Sequence, residues 1–265
     1  MKTIYYYQTF VGLDDLFTHL QDIDVIIVSS IHFDKSQIYL NDNKPNDKIF
    51  DELWSQTHYA SSQNVTILLM IGGAGGAYQE LFNDFENNYK QLKELLEEKT
   101  WIQGIDLDIE EEVKIEDVQM LMDRLIKDFG NDFILTMAPV SVSLMHDFSG
   151  MGGFSYKDIY KSKQGKYIKW FNTQCYNSFS KETYDRIIKN GYQPEKIVMG
   201  MMSGQFDKTN FKTALDEVKK IVDEYPNMSG VYDWEYLNAP PDKHDPSIWC
   251  KLMKQITILN KDNIF

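Results

Sequence analysis

Three carboxylates recur at every second position in residues 103–110, which read Gln-Gly-Ile-Asp-Leu-Asp-Ile-Glu. If this segment is a β-strand, its period of two places Asp106, Asp108 and Glu110 on one face and the apolar residues on the other. Like charges held this close repel each other unless protons, hydrogen bonds or a cation offset the repulsion. The spacing therefore indicates either proton-transfer chemistry or the binding of a hard cation such as Mg²⁺ or Ca²⁺.

The elements that must position these carboxylates follow a repeating pattern, in which short β-branched or aromatic runs alternate with longer amphipathic stretches. Eight strands are predicted, at residues 3–7, 24–30, 66–71, 104–109, 133–138, 170–176, 197–201 and 230–234. Helices are predicted at residues 48–61, 82–98, 116–129, 181–190, 210–224 and 247–259. This order favours an α/β fold of the closed (β/α)₈ TIM-barrel type over an open doubly wound sheet.

The same pattern predicts how the chain is divided into domains. No linker, internal repeat or added α+β insertion domain interrupts this pattern, so residues 1–265 are expected to form a single catalytic barrel domain. Reacting groups in such barrels lie at the carboxyl ends of the strands. Glu110, Tyr176 and Trp234 follow or end three different predicted strands. We therefore expect these side chains to converge at one mouth of the barrel.

Composition argues against several classes of partner. The formal net charge is −13 and the pI is near 4.8, and no Lys/Arg-rich stripe could contact phosphates, so nucleic acid is not an expected partner. No run approaches the roughly 18 apolar residues that a membrane span needs, so no membrane partner is expected. The first residues lack a signal-peptide pattern. We expect either an intracellular protein or the mature form of a secreted one.

No metal or cofactor is expected. Cys175 and Cys250 could form at most one bridge, and we expect two free thiols. The glycine-rich residues 72–76 lack the Lys-Ser/Thr pair of a phosphate loop and the spacing of a dinucleotide fingerprint. Five histidines show no metal-ligand spacing: His19, His32, His58, His146 and His244.

Several segments together resemble glycoside hydrolase family 18, which contains chitinases and endo-β-N-acetylglucosaminidases. Residues 104–110 are similar to the last three acidic positions of its Asp-x-x-Asp-x-Asp-x-Glu signature. The other segments fall in the family's order on the predicted strands. They are Leu69-Met-Ile-Gly-Gly73, Thr136-Met-Ala-Pro139, Gln174-Cys-Tyr-Asn177 and Gly230-Val-Tyr-Asp-Trp234. The third of these resembles the plant-type and endoglycosidase-like branch of single-domain members.

The resemblance implies a retaining, endo-acting hydrolase of β-1,4-linked N-acetylglucosamine in chitin or chitooligosaccharides. Catalysis would be substrate-assisted and pass through an oxazolinium intermediate. Glu110 is then expected to act as acid and base, Asp108 to hold the acetamido N–H, Asp106 to set the charge state of Asp108, and Tyr176 to steady the acetamido carbonyl. The residues expected to bind substrate are Trp234, Gln174, Asn177, Tyr7, Gly73 and Met137.

Some of these roles follow from general chemistry as well. A glycosidic oxygen leaves poorly unless it is protonated, and Glu110, crowded by Asp108, is suited to supply the proton. Trp234 would form an apolar floor under the sugar ring. Tyr6 is an alternative to Tyr7 as the side chain beside Asp106. The expected partner is an oligosaccharide or polysaccharide containing N-acetylglucosamine, bound by a monomer.

The sequence departs from the family pattern at two positions. Met70 stands where the strand-three motif has Ser, and Gln103 replaces the first acidic residue of the signature. Both are expected to alter proton sharing among the carboxylates and to give an unusual pH profile or modest turnover. Glu111 and Glu112 extend the acidic run and are predicted to lie in a solvated loop before the next helix.

Three alternatives to a chitinase remain open. An endo-β-N-acetylglucosaminidase that cuts the core of N-glycans carries the same motifs. A glycan-binding lectin of weak activity could use the same scaffold, although Glu110 is present. A metal-dependent lyase or phosphodiesterase could use the acidic triplet.

Overall fold

The chain folds into the predicted (β/α)₈ barrel, in which eight parallel strands close on themselves. The computed structural model describes residues 1–262, with the side chains of residues 1–256; residues 263–265, which end the predicted domain, lie outside the described residues. The barrel strands are β1 (Lys2–Tyr7), β2 (Val25–Asp34), β4 (Thr66–Gly72), β5 (Ile102–Asp108), β6 (Ile134–Met137), β7 (Ile168–Gln174), β8 (Ile197–Met202) and β9 (Gly230–Trp234). Pairing of β1 with both β2 and β9 closes the barrel.

Helices cover the outside of the barrel in the order that the sequence predicts. They are α1 (Asp14–Phe17), α2 (Asp51–Ser62), α3 (Tyr78–Asn83), α4 (Phe85–Glu98), α5 (Ile115–Phe129), α6 (Ser141–Met145), α7 (Tyr156–Lys161), α8 (Lys181–Lys189), α9 (Phe211–Glu224) and α10 (Ser247–Asp262). The short helices α1, α3, α6 and α7 do not correspond to predicted helices, because one or two turns are too few to show a helical period. Residues 203–229 hold only α9 and its flanking turns, so no insertion domain separates β8 from β9.

One hairpin was not predicted. Strand β2 continues to Asp34 and turns back into β3 (Gln37–Leu40), which pairs with it antiparallel. The turn residues Lys35 and Ser36 both have positive φ, 46° and 58°, as two-residue hairpin loops of type I′ require. The sequence lacks the Asn-Gly or Asp-Gly pair that usually indicates such a turn. The hairpin forms part of one wall of the barrel mouth.

Side chains of the barrel strands alternate between two cores. Outward-facing residues such as Ile105 and Leu107 are fully buried against the helices. A smaller cluster fills the barrel interior, and its buried members are Ile4, Tyr6, Val25, Ile27, Leu68, Met70, Trp170, Val198 and Tyr232. Tyr176 and Trp234 pack on this inner cluster and remain partly exposed. The inner core is therefore apolar except where the carboxylates of β5 and the polar side chains that contact them enter it.

Both cysteines are buried free thiols, as predicted. No helix in the described part of the chain is long and apolar enough to cross a membrane.

Candidate active site

Asp106 is the most deeply buried carboxylate of the site and accepts three hydrogen bonds inside the barrel. Tyr6 Oη donates to its Oδ2 over 2.7 Å, while Thr136 Oγ1 and Asn172 Nδ2 donate to its Oδ1 over 2.5 and 3.0 Å. Burial raises the pKa of Asp106, and these three hydrogen bonds oppose the rise. Donors from β1, β6 and β7 therefore fix Asp106 at the centre of the barrel.

Asp108 and Glu110 share one amide donor. Gln174 Nε2 donates to Asp108 Oδ1 over 3.2 Å and to Glu110 Oε1 over 3.1 Å, and it also lies 3.0 Å from the carbonyl of Ala138. Asp108 is 5% exposed. Burial raises its pKa well above the usual range, and the nearby Glu110 and Asp106 raise it further. Asp108 therefore holds its proton more tightly than an exposed aspartic acid does, and it lies next to a partly exposed Glu110.

The backbone after β4 closes against the backbone after β5. Gly73 N donates to the carbonyl of Asp108 over 2.9 Å. A Cβ on Gly72 would lie 2.2 Å from that same carbonyl oxygen, and Gly72 has φ +96°. The close approach to the Asp108 carbonyl and the positive φ both require glycine at position 72. Gly73 has φ +83°, and a Cβ on this residue would lie 3.5 Å from Asp108 Oδ2. Glycine at this position therefore leaves room beside Asp108.

We predict that Gly72→Ala destabilises the protein more than Gly130→Ala. Both glycines have positive φ, +96° and +87°, but nothing lies within 4 Å of a Cβ on Gly130. Each variant carries backbone strain of about 1 kcal/mol. Gly72→Ala adds a steric cost of about 1–3 kcal/mol, because Asp108 must move. Urea unfolding measures both free energies, and equal losses would show that the contact with Asp108 is unimportant.

Glu111 lies in the loop before α5, as predicted, and is partly exposed, but its side chain is held by backbone donors of another loop. Its Oε1 accepts hydrogen bonds from the backbone N–H groups of Ala77 and Tyr78, at the start of α3. On the other side of the same loop, His32 Nδ1 lies 2.6 Å from the carbonyl of Gly76. Glu111 and His32 thus hold the glycine-rich loop from two directions. Sequence spacing gives no signal for either contact, because the partners are far apart in the chain.

Tyr176 and Trp234 form the opposite wall of the site. Tyr232 Oη donates to Tyr176 Oη over 3.2 Å, and the Trp234 ring packs on Tyr6 with centroids 5.2 Å apart. Burial raises the pKa of Tyr176, and the neighbouring Asp108 contributes to the rise. Tyr176 therefore keeps its phenolic proton and can donate it in a hydrogen bond.

A groove of about 1250 Å³ extends from Trp234 over the loops that follow β1, β2 and β4. Its charged lining side chains are Asp34, Asp42, Glu80 and Glu111, with His32 as the one histidine and no Lys or Arg among the lining residues. The remaining lining includes aromatic and amide groups such as Tyr39, Phe50 and Asn41. The groove therefore suits a neutral ligand with hydroxyl groups and apolar faces rather than an anion.

Two residues predicted to bind substrate lie outside the barrel interior. Tyr7 is 1% exposed, accepts a hydrogen bond from Gly12 N over 2.8 Å and packs in the outer core. Met137 is fully buried in the same outer core. Their neighbours Tyr6 and Thr136 point inward instead and contact Asp106. The substrate contacts predicted for Tyr7 and Met137 do not fit these positions, because adjacent strand residues face opposite sides.

The two departures from the family pattern differ in their effect. Gln103 is exposed on the outer face of β5, where its Oε1 accepts a hydrogen bond from Ile67 N over 3.2 Å. Gln103 lies three residues before Asp106 in the strand, so its side chain is on the opposite face from the carboxylates. The predicted influence of Gln103 on proton sharing therefore does not fit the structure. Met70 does lie in the interior, where Ser29 Oγ donates to its sulfur over 3.4 Å.

Asn177 lies at the exposed rim of the mouth. It forms a reciprocal pair with Gln205, in which Gln205 Nε2 donates to Asn177 Oδ1 over 2.9 Å and Asn177 N donates to Gln205 Oε1 over 3.3 Å. The inward-facing residues near the carboxylates that sequence reasoning missed are Thr136, Asn172 and Tyr232. Their inward position could be found only by fixing the register of the strands around the barrel.

The ligand chemistry of the carboxylates does not suit a metal ion. Both oxygens of Asp106 already accept hydrogen bonds from neutral donors. In the part of the chain that the structure describes, no three His, Cys, Asp or Glu side chains are grouped as metal ligands.

Comparison with known proteins gives the class of this chain. Residues 2–254 match the family model described as Glycosyl hydrolases family 18. The chain belongs to this family, as the sequence motifs predicted. It is therefore a glycosidase, and membership implies glycans containing N-acetylglucosamine as its ligands.

The solved structures similar to this chain include an endo-beta-N-acetylglucosaminidase and chitinases. A fungal endo-beta-N-acetylglucosaminidase from glycosyl hydrolase family 18 is 30% identical with a TM-score of 0.86, and the match covers 97% of this chain and 98% of that chain. The chitinase ChiC from Aspergillus fumigatus is 28% identical with a TM-score of 0.83, covering 91% and 94%. A chitinase from Pseudoalteromonas aurantia shares the fold at 17% identity and a TM-score of 0.74, covering 97% and 100%. Curated protein sequences give no significant match.

Proposed function

We propose that this protein cleaves the β-1,4 bond that follows an N-acetylglucosamine residue, with retention of configuration and with the acetamido group of the substrate as nucleophile. The observation that carries the proposal is the placement of Asp108, which is 5% exposed and shares the Gln174 amide with Glu110. Burial disfavours the ionised form of Asp108, so this carboxyl is a poor nucleophile. Asp106 is fully buried beneath it and is equally unsuited to attack a sugar.

Glu110 acts as the general acid and then as the base. It stands two residues beyond the end of β5 and is partly exposed, so a substrate can reach it. The hydrogen bond from Gln174 fixes its Oε1, and its other oxygen remains available to the glycosidic oxygen. After the leaving group departs, the same carboxylate removes a proton from the incoming water.

Asp108 and Tyr176 position and stabilise the reacting acetamido group. The acetamido N–H donates to Asp108, and the proton held by Asp108 in the free enzyme passes to Asp106 as positive charge develops on the oxazolinium, which leaves Glu110 ionised to act as base. The resulting Asp108 carboxylate stabilises that charge inside a poorly solvated site. Tyr176 Oη donates to the acetamido oxygen and orients it for attack on the anomeric carbon. Asp106, with its three donors, sets the proton affinity of Asp108.

Trp234 is proposed as the floor of the cleavage subsite, since the C–H face of a pyranose ring packs on an aromatic plane. Gln174, Gly73 and Asn177 are proposed to contact the sugar or to shape its pocket. The groove of about 1250 Å³ that extends from Trp234 then holds further sugar residues. Because no insertion domain covers β8 and β9, a polymer can lie across the mouth, which supports endo cleavage by one catalytic domain.

Chitin and its oligomers are the proposed substrates, because a groove lined by acidic, amide and aromatic side chains without Lys or Arg suits an uncharged glycan better than an anionic one. Cleavage of the chitobiose core of N-glycans is the second candidate function. The similarity to a fungal endo-beta-N-acetylglucosaminidase at 30% identity favours it. Both reactions break the same linkage and need the same acetamido chemistry.

The experiment that tests the proposal offers the wild-type protein chitooligosaccharides and, separately, a glycoprotein with high-mannose N-glycans. We expect products ending in N-acetylglucosamine with the β configuration when first released. A fully deacetylated oligomer should not be cleaved, because it lacks the nucleophile. Its cleavage at a comparable rate would contradict substrate assistance, and release of N-glycans alone would select the second function.

A further inference from the structure

Asp233 is a fully buried carboxyl on the outer face of β9, directly before Trp234. Its neighbours across the sheet are Tyr5 on β1 and Met201 on β8, both also fully buried. No ion pair among residues 1–256 includes Asp233, and its Oδ1 has no hydrogen-bond partner there. An ionised carboxylate in such surroundings would be strongly disfavoured.

Ser203, in the turn after β8, contacts the carboxyl group of Asp233 and the backbone carbonyls of Trp234 and Glu235. Ser203 N donates to the carbonyl of Trp234 over 2.6 Å. Ser203 Oγ lies 2.6 Å from Asp233 Oδ2 and 2.8 Å from the carbonyl oxygen of Glu235. Both distances are those of O–H···O hydrogen bonds, and each such bond needs a hydrogen between the oxygens.

The serine hydroxyl supplies only one hydrogen. A carbonyl oxygen supplies none, so the second hydrogen must come from Asp233. We propose that Asp233 is a neutral carboxylic acid that donates to Ser203 Oγ, that Ser203 donates to the carbonyl of Glu235, and that this relay positions Trp234 at the mouth of the barrel.

The surroundings of Asp233 support this assignment. Burial raises its pKa well above the usual range, and the nearby Glu235 adds to the rise, although the Ser203 contact opposes it. The unpartnered Oδ1 is then the carbonyl oxygen of a neutral acid, which costs less to bury than a carboxylate oxygen. Glu235 itself is held by the backbone N–H groups of Gln8 and Thr9, each over 2.8 Å. The segment after Trp234 is therefore anchored to β8 and β1.

The relay acts on the reaction through Trp234 and makes Asp233 and Ser203 positioning residues. Its relevance to catalysis rests on the proposed function, in which Trp234 is the floor under the sugar. The Trp234 ring packs on Tyr6, which in turn donates to Asp106. A shift of the Trp234 backbone would therefore move the aromatic ring under the sugar and disturb the contact with Tyr6 beside the buried Asp106.

Infrared difference spectroscopy tests the protonation state without any substrate. The spectrum of wild type minus Asp233→Asn at neutral pH should contain the C=O stretch of a protonated carboxyl. In Ser203→Ala that stretch should shift to higher frequency, because the acid loses the acceptor of its hydrogen bond. Carboxylate bands in place of the acid band would overturn the proposal, as would an unshifted stretch in Ser203→Ala.

Oligosaccharide binding tests the positioning role, with the inactive Glu110→Gln protein as the background. Asp233→Leu and Ser203→Ala should each weaken binding about fivefold, the loss of roughly one hydrogen bond. Asp233→Asn should bind as the background protein does, because its Nδ2 donates to Ser203 in place of the acid. Equal weakening by Asp233→Asn and Asp233→Leu contradicts the relay. If Asp233→Leu does not fold, the binding measured for Ser203→Ala tests the positioning role alone. If the Glu110→Gln background protein binds no oligosaccharide, the proposed function is contradicted, and the infrared measurement still tests the relay.

Discussion

Replacement of Glu110 with glutamine is expected to lower kcat on chitooligosaccharides by about 10²–10⁴-fold, the usual contribution of a general acid and base. Glutamine keeps the size of the side chain and can still contact Gln174, which donates to Glu110 Oε1 over 3.1 Å. It cannot transfer a proton to the glycosidic oxygen. The loss should therefore appear in kcat with little change in oligosaccharide binding.

Glu112→Gln is the matched control for this variant. Glu112 lies in the same acidic run, but its side chain is exposed and contacts no carboxylate of the site. Its replacement makes the same chemical change outside the site and should leave kcat unchanged. If Glu110→Gln and Glu112→Gln are equally active, Glu110 is not the acid. The choice of substrate sharpens the test, since a 4-nitrophenyl glycoside needs no protonation of its leaving group and should restore much of the first step in Glu110→Gln.

The second large effect is expected from Asp108→Asn. Asparagine cannot become negatively charged as the oxazolinium forms, so kcat should fall by about 10²–10³-fold, as when one preorganised electrostatic contact is lost. In contrast to Glu110→Gln, this variant should not recover on a 4-nitrophenyl glycoside, because its defect lies in stabilising the intermediate rather than in protonating the leaving group. Recovery of both variants to the same degree would contradict the separate roles of Asp108 and Glu110.

Asp108→Asn should also be more stable than the wild type above acidic pH. The folded protein raises the pKa of Asp108 well above its ordinary value by burial and by the nearby Glu110 and Asp106. The folded state therefore holds this proton more tightly than the unfolded chain, and wild-type stability falls as pH rises through the raised pKa. Asparagine does not titrate, so the difference in Tm should grow from acidic toward alkaline pH.

A gain of about 1 kcal/mol corresponds to roughly 2–4 °C in Tm for a domain of this size, and thermal unfolding followed by circular dichroism over a pH series measures it. Asp132→Asn is the control, because Asp132 is exposed and lies at the opposite end of β6 from the site. Its Tm difference from the wild type should stay constant with pH. A gain for Asp108→Asn that does not change with pH would mean that Asp108 does not hold a proton in the folded state.

The sequence allowed most of the architecture to be predicted because its patterns are local. Alternating apolar strands and periodic helices indicate a (β/α)₈ barrel whatever the details of the loops. The hairpin at Lys35 and Ser36 and the short helices were missed because they lack the usual turn residues or are too short for a period. The contacts of Glu111 were also missed, since its partners at Ala77 and Tyr78 are distant in sequence.

The sequence by itself determined that the carboxylates of β5 share one face. A strand's period of two puts Asp106 and Asp108 on the same side without reference to any other strand. The sequence could not decide which side chains meet them: it left Tyr6 and Tyr7 open as the neighbour of Asp106 and gave no role to Thr136, whereas Tyr6 and Thr136 make the contacts. That choice depends on the register between strands, and a shift of one residue turns every side chain to the opposite face. Only the closed barrel fixes the register. It therefore decided which donors hold Asp106, that Gln174 joins Asp108 to Glu110, and that Asp108 is buried enough to retain its proton.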